Sequence, residues 1–169
     1  HQQADLGQTR LNASLDQDTN QQFFGSLWNE NTIKYLSRSA GGRWFNDLLL
    51  MLLEKIDPDS ISTVADVGCG VGMKTATMAK YLSNATVYGF DFAVSAIEAA
   101  RKAHQFANIQ FSVEDITKAQ NQKRYDLITA FDVLEHIEDW KARVNSLIPV
   151  KNKMMMFSFP TGRMRPYEA

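Results

Sequence analysis

The chain has 169 residues, a length that suits one domain with a sizeable core. Its 18 Lys and Arg residues nearly balance 19 Asp and Glu residues, so the formal net charge of −1 provides no strong basic field to attract nucleic acid or an anionic membrane. A single cysteine excludes an internal disulfide and favours a reducing compartment, which predicts a cytoplasmic protein.

The first third of the chain changes from polar to aromatic. Residues 1–22 are rich in Gln, Asn and Asp, and we expect a frayed helix or partial disorder there. Residues 23–60 predict a helical region with helices at about 27–38 and 42–56, broken near Gly41-Gly42. The apolar run at 48–53 is far too short to cross a bilayer, so no membrane span is expected.

Residues 61–169 alternate between strand and helix patterns. The alternation predicts an α/β fold with a doubly wound, mostly parallel, Rossmann-like sheet and helices on both faces. Ligands of such sheets bind at the carboxyl ends of the strands, beside the topological switch point. Strands are predicted at 62–67, 86–91, 109–114, 125–131 and 153–159, helices at about 73–82, 93–106 and 138–147, and only a turn at 117–124.

The first predicted strand carries an acid and then breaks into three alternate glycines, in the sequence V-A-D-V-G-C-G-V-G at 64–72. Alternate glycines permit a sharp turn and remove the Cβ atoms that would keep a ligand away. A dinucleotide fingerprint would require glycine where Met73 stands, and Asp66 would repel a pyrophosphate. The pattern therefore favours a cofactor with a cationic head. A strand-to-helix turn with a structural acid is the alternative.

A D-x-G-x-G-x-G sequence at the end of a first strand resembles the nucleotide-binding motif of the class I S-adenosylmethionine-dependent methyltransferases. The resemblance implies S-adenosylmethionine as the cofactor, an acid near its amino acid end, and glycine backbone against its methionine and ribose portions. Cys69 is interpreted as a small loop-filling residue rather than a nucleophile, and one Cys with three His residues offers no zinc-ligand spacing, so no metal is expected. The cofactor-binding residues that the motif assigns are Asp66, Gly68, Cys69, Gly70 and Gly72.

The second and third predicted strands also close on acids. Asp91 ends the second strand, where a carboxylate suits vicinal ribose hydroxyls in this family and in NAD enzymes alike. The resemblance assigns Asp115 to the adenine amino group and Ile116 to the adenine face, with Phe92 as a second residue that packs there. A helix or turn cap is the alternative for Asp115.

The fourth strand, Y-D-L-I-T-A-F-D at 125–132, continues into V-L-E-H-I. This segment looks like one common in small-molecule methyltransferases, for instance those of quinone biosynthesis. The resemblance implies that Phe131 and Asp132 line the methionine portion of the cofactor. His136 is the first candidate for a catalytic general base, because imidazole suits proton transfer near neutral pH. A structural residue that caps the loop is the alternative.

Helices before the first strand commonly form a lid over the cofactor in this family. Trp28, Tyr35, Arg43 and Trp44 are therefore the expected lid and substrate residues, with packing of these helices on the sheet as the alternative. A small-molecule methyl acceptor is expected on charge grounds.

The family sheet has seven strands, and the fifth predicted strand leaves no residues for the last two. Residues 61–169 are thus expected to form a C-terminally incomplete S-adenosylmethionine-binding domain. Either the chain continues beyond Ala169, or the exposed fifth strand forms a homodimer. Two other functions stay open: an NAD(P)-dependent oxidoreductase or epimerase, which lacks support from a Tyr-x-x-x-Lys pair, and a non-catalytic S-adenosylmethionine-binding domain.

Overall fold

The computed structural model describes residues 40–115, 123–137 and 139–158, and the predictions for 1–22 and for the helix at 27–38 lie outside these residues. The strands are β1 (Thr63–Val67), β2 (Thr86–Asp91), β3 (Ile109–Val113), β4 (Tyr125–Ala130) and β5 (Lys151–Phe157). The α-helices are α1 (Ala40–Leu53), α2 (Met73–Tyr81), α3 (Val94–Ala103) and α4 (Trp140–Leu147). Short 3-10 helices lie at Pro58–Ser60, Leu134–His136 and Ile148–Val150.

The five strands form one sheet in the order β3-β2-β1-β4-β5, and all neighbours are parallel. The chain moves outward from β1 to β3 on one side and then returns to β4 on the other. The strand order therefore reverses between β1 and β4, which places a topological switch point beside β1. This topology confirms the predicted α/β fold.

Helices cover both faces of the sheet with separate apolar clusters. On one face, Leu49 and Leu53 of α1 and Met78 of α2 are fully buried against Val64 and Leu127. Burial of such side chains stabilises the fold by about 1.5–3 kcal/mol each. The opposite face buries a second cluster that includes Ala65, Phe90, Tyr125, Ile128 and, from α4, Leu147. No helix in the described ranges has both the length and the apolar composition needed to cross a membrane.

Several element boundaries differ from the predictions by one to three residues; α1, for example, ends at Leu53 instead of 56. The predicted break at Gly41-Gly42 is wrong, because α1 begins at Ala40 and includes both glycines. Each glycine costs a helix about 1 kcal/mol relative to alanine, and the buried apolar face of α1 outweighs that cost. α3 ends at Ala103 instead of 106. β5 begins at Lys151 instead of 153, since its polar first residues pair with β4 from Tyr125 onward.

Asp126 joins the amino-terminal ends of three strands, on the sheet edge opposite the switch point. Its carboxylate accepts hydrogen bonds from the backbone N–H groups of Ser62 and Thr63, at 2.8 and 3.2 Å, and from the side chain of Asn152 at 2.7 Å. Lys153 lies 3.8 Å away. Burial alone would raise the pKa of Asp126, but these hydrogen bonds and the lysine charge outweigh it, and the pKa is lowered.

Candidate functional site: the glycine loop and the carboxyl ends of the strands

The glycine loop, residues 68–72, turns sharply at the carboxyl end of β1. Gly68, Gly70 and Gly72 all have positive φ, at 68°, 54° and 79°. The left-handed region is costly for residues with a Cβ atom, which explains glycine at these positions. The N–H groups of Gly68 and Cys69 both donate to the Phe90 carbonyl, at 2.8 and 3.0 Å. The loop is thus bound to the end of β2.

Asp91 holds the same loop through its side chain. One carboxylate oxygen accepts from the Gly70 N–H at 2.8 Å and the other accepts from the Ala93 N–H at 2.9 Å. Burial raises the pKa of Asp91, and hydrogen bonds from the backbones of Ala93, Gly70 and Phe92 oppose the rise. Because a carboxylate can accept about four hydrogen bonds, Asp91 shapes the loop and can still accept from a ligand.

Two of the loop glycines also meet close neighbours within the chain. A Cβ atom on Gly72 would lie 2.6 Å from the Phe111 ring, and one on Gly68 would clash with the side chain of Val133. Gly89 of β2 has the same restriction, because its Cβ would lie 2.6 Å from Phe111. Internal packing therefore requires glycine at these positions, whether or not a ligand approaches.

Asp66 lies inside the fold, at 2% exposure. One of its oxygens accepts from the Thr75 hydroxyl at 2.6 Å and the other accepts from the Thr129 hydroxyl at 2.8 Å. Burial raises the pKa of Asp66, whereas the two hydroxyls and the charge of Lys74 oppose the rise. Its carboxylate is thus held by internal hydroxyls that the sequence analysis did not identify. A role of Asp66 toward the amino acid end of a cofactor stays a prediction.

The Cys69 side chain points back to its own loop. Its thiol donates to the Gly70 carbonyl at 3.6 Å. Burial, followed by the charges of Asp66 and Asp91, raises the pKa of this thiol well above its ordinary value. Because the thiolate is the nucleophilic form of cysteine, these surroundings agree with the interpretation of Cys69 as a loop-filling residue.

The segment after β4 places two predicted residues differently. The Phe131 side chain is buried at 3% exposure in the core cluster that also contains Leu49, which leaves its backbone to line a site. Asp132 is exposed and has φ 62°, and its N–H donates to the Ser158 hydroxyl at 2.8 Å. That bond ties the end of β4 to the residue after β5.

The other predicted site residues are spread along the same edge or fall outside the description. Phe92 and Asp115 are half-buried at the ends of β2 and β3, and His136 is exposed in the 3-10 helix after β4. Ile116, Trp28 and Tyr35 lie outside the described residues. Arg43 and Trp44 belong to α1, but their side chains are outside the description.

The described strand ends define a cofactor-binding type of α/β domain, and comparison with known proteins gives its family. The model of a family described as "Methyltransferase domain" matches residues 58–165. The chain belongs to this methyltransferase-domain family, as the sequence motifs predicted.

Curated relatives support the same family. The chain is 30% identical over 112 residues to malonyl-[acyl-carrier protein] O-methyltransferase of Acetivibrio thermocellus, a match that covers 65% of this chain and 40% of that protein. It is 38% identical over 93 residues to ubiquinone biosynthesis O-methyltransferase of Vibrio parahaemolyticus, a match that covers 52% of this chain and 38% of that protein. These matches span less than half of either relative.

Solved structures share the fold. The N-methyltransferase NodS of Bradyrhizobium japonicum, in complex with S-adenosyl-L-homocysteine, has a TM-score of 0.68 at 20% identity and covers 80% of this chain and 70% of its own. Magnesium protoporphyrin IX methyltransferase of Synechocystis, with bound S-adenosylmethionine, has a TM-score of 0.67 at 22% identity and covers 90% and 80%. At these identities the likeness concerns architecture.

Proposed function

We propose that the protein transfers a methyl group from S-adenosylmethionine to a small-molecule acceptor. One observation carries the proposal: in a methyltransferase-domain chain, the Asp91 carboxylate holds a glycine loop at the switch point of a parallel sheet. The donor set also suits this cofactor. Asp66, buried two residues before the glycine loop, is an acid that attracts an ammonium and a sulfonium when ionised and would repel a pyrophosphate.

When bound, S-adenosylmethionine supplies a methyl group that its sulfonium already activates. The chain then has to hold the reactants in line and exclude water, and such orientation is worth about 7–11 kcal/mol. Asp91 accepts from the ribose, using the acceptor capacity that its backbone donors Gly70, Ala93 and Phe92 leave open. The Gly68, Gly70 and Gly72 backbone lies against the methionine and ribose portions.

The remaining cofactor contacts follow from the strand ends. Asp115 accepts from the adenine amino group, and Phe92 and Ile116 pack on the adenine face. The Phe131 backbone and Asp132 line the methionine portion, with Asp132 kept in place by Ser158.

The residues that act on the methyl acceptor are assigned to the turn after β4 and to the region before β1. His136 takes a proton from a hydroxyl or protonated amine acceptor, and its exposed position leaves it accessible to such a substrate. A carboxylate acceptor needs no base. Trp28, Tyr35, Arg43 and Trp44 belong to the lid that closes over both ligands.

A nucleotide-dependent oxidoreductase is the second candidate, and it is disfavoured by Met73 at the position of the third fingerprint glycine and by the buried Asp66 before the loop. A thermal-shift panel of S-adenosylmethionine, S-adenosylhomocysteine, NAD and NADP separates the two. We expect protection by the first pair alone. Protection by the nicotinamide cofactors alone would reject the methyltransferase proposal, and turnover across an acceptor library separates an enzyme from a non-catalytic binding domain.

Variants locate the pocket. Asp91→Asn and Gly70→Val are expected to abolish S-adenosylhomocysteine binding in titration calorimetry, the first by weakening the ribose acceptor and the second by forcing a β-branched residue to φ 54°. Asp126→Asn is the matched control, because it removes an equally buried carboxylate at the opposite edge of the sheet. The folded Asp126→Asn protein should bind as the unchanged protein does. Undiminished affinity in either the Asp91→Asn or the Gly70→Val protein would show that the pocket is elsewhere.

Assembly and location extend the proposal. β5 pairs with β4 and has no second partner strand among the described residues, so its outer edge suits a homodimer. Light scattering after size exclusion tests this, and a monomer at every concentration would reject it.

The protein acts in the cytoplasm, as a single cysteine suits a reducing compartment; fractionation of cells that express it tests the location.

A further inference from the structure

Three buried polar side chains form a bridge between β1, α2 and β4. Thr75 and Thr129 are fully buried, and each hydroxyl donates to a different oxygen of Asp66, at 2.6 and 2.8 Å. The Thr129 hydroxyl also lies 3.5 Å from the Ala65 carbonyl and 3.8 Å from the Met78 sulfur. Because each oxygen has its own donor, rotation of the carboxylate would break these hydrogen bonds.

The position of this bridge is not explained by packing alone. A buried carboxylate is costly unless it is hydrogen-bonded, and an apolar residue at the same place would avoid the cost. Asp66 stands two residues before the glycine loop, and Thr75 stands three residues after it in the first turn of α2. The carboxyl group of Asp66 therefore lies at the base of the proposed cofactor pocket, where low polarity strengthens the attraction between its ionised form and a cation.

We propose that Thr75 and Thr129 are positioning residues for the cofactor, since each hydroxyl holds one oxygen of Asp66 and together they orient this carboxyl group toward the cationic amino acid end. The inference rests on the proposed function and adds two residues to it. It also predicts a pH signature. Without the hydroxyl donors, burial is left less opposed and the pKa of Asp66 rises further.

Other groups that face Asp66 must be separated from this effect. They are Lys74 on α2, Asp91 at the end of β2, and the thiol of Cys69 in the loop. An Asp66→Asn protein keeps all three and lacks the titrating group. Its pH profile is therefore the baseline from which the contribution of Asp66 is read.

The test is calorimetric titration of the whole chain with S-adenosylhomocysteine between about pH 5 and pH 9. Thr75→Val and Thr129→Val keep the side-chain shape and remove the donor. We expect each to lose about tenfold in affinity at the acid end, the size of a hydrogen bond to a charged group, and to regain it as the pH rises. Thr75→Ser and Thr129→Ser should restore both the affinity and the profile. Asp66→Asn should bind weakly with this limb of the profile absent.

Other results would contradict the positioning role of Thr75 and Thr129. If the valine proteins are less stable but bind with unchanged affinity and profile, the bridge only supports the fold and the inference is wrong. Should they fail to fold, ¹³C-detected titration of Asp66 in the unchanged protein decides, because saturating ligand must lower its midpoint and an unmoved midpoint overturns the inference. Lack of any binding by the unchanged protein would instead reject the proposed function, and this inference with it.

Discussion

The packing of Phe111 between two glycines allows a quantitative prediction. A Cβ atom on Gly72 would lie 2.6 and 2.8 Å from two atoms of the Phe111 ring and 3.1 Å from the Cβ atom of Ala100, at a backbone φ of 79°. A Cβ atom on Gly89 would lie 2.6 and 2.7 Å from the same ring and 3.0 Å from the Cys69 sulfur. Gly89 differs from Gly72 in having no positive φ. The pair therefore separates steric overlap from backbone strain.

The two alanine substitutions should have different costs. Overpacking a tight core destabilises by about 1–3 kcal/mol, and this is the whole expected effect of Gly89→Ala. Gly72→Ala adds about 1–2 kcal/mol for an L-residue in the left-handed region. The free energy of unfolding should thus fall by about 2–5 kcal/mol for Gly72→Ala, summing both effects.

Urea unfolding measures these costs, and Phe111→Leu provides the second arm of a double-mutant cycle. In the Phe111→Leu background, Gly89→Ala should lose most of its cost, because the smaller side chain leaves space for the methyl group. Gly72→Ala should keep the backbone portion. Equal costs for the two substitutions in that background would refute the assignment of strain to the loop.

Three other predictions concern titrating groups. Asp126→Asn should lower the free energy of unfolding by about 1.5–3 kcal/mol at neutral pH, with Asp47→Asn at an exposed position as the control. Because the pKa of Asp126 is lowered in the fold, its carboxylate stabilises the protein above the unfolded-state pKa of about 3.9 and ceases to do so in acid. In urea melts at several pH values, the stability difference between the variant and the unchanged protein should therefore shrink in acid. Burial lowers the pKa of His104, and a hydrogen bond to the Val71 backbone partly offsets this effect. The free energy of unfolding should therefore fall as the pH drops below about 6.5. His104→Gln should make that fall less steep, and an unchanged dependence of stability on pH would contradict the prediction. Cys69 should react with a thiol reagent far more slowly than free cysteine at mildly alkaline pH and at the ordinary rate in urea; fast labelling of the folded chain would mean that its thiol is ionised.

The sequence was informative where hydrophobic period and strand order act together. Short apolar runs separated by helical patterns predicted a parallel sheet, and in a parallel sheet the carboxyl ends of the strands lie at one edge. The acid at the end of β2 belongs to that edge, and the structure adds a contact that was not predicted, since the Asp91 carboxylate accepts from the Gly70 N–H. The motifs at the strand ends then indicated the S-adenosylmethionine-dependent methyltransferases as the class of protein.

Contacts between distant residues were not visible in the same way. Thr129 lies 63 residues from Asp66, and neither the period nor any local motif marks its hydroxyl as a partner. Phe111 read as an ordinary strand residue, although two glycines are required around its ring. The early start of β5 was missed for a related reason, because Asn152 is polar by sequence and binds Asp126 in the fold.

The glycine loop shows why such a motif has to be interpreted through its partners. Gly68 and Gly72 meet Val133 and Phe111, so their presence alone says little about a ligand. Asp91 provides the further argument, because its carboxylate holds Gly70 by a hydrogen bond within the chain. A loop that is ordered by such a bond loses less conformational entropy when it binds a ligand. The same carboxylate would then serve both loop order and ligand contact. Substitution of Asp91 must therefore alter both, and only the comparison with Asp126, at the opposite edge of the sheet, distinguishes loss of a pocket from loss of a buried charge.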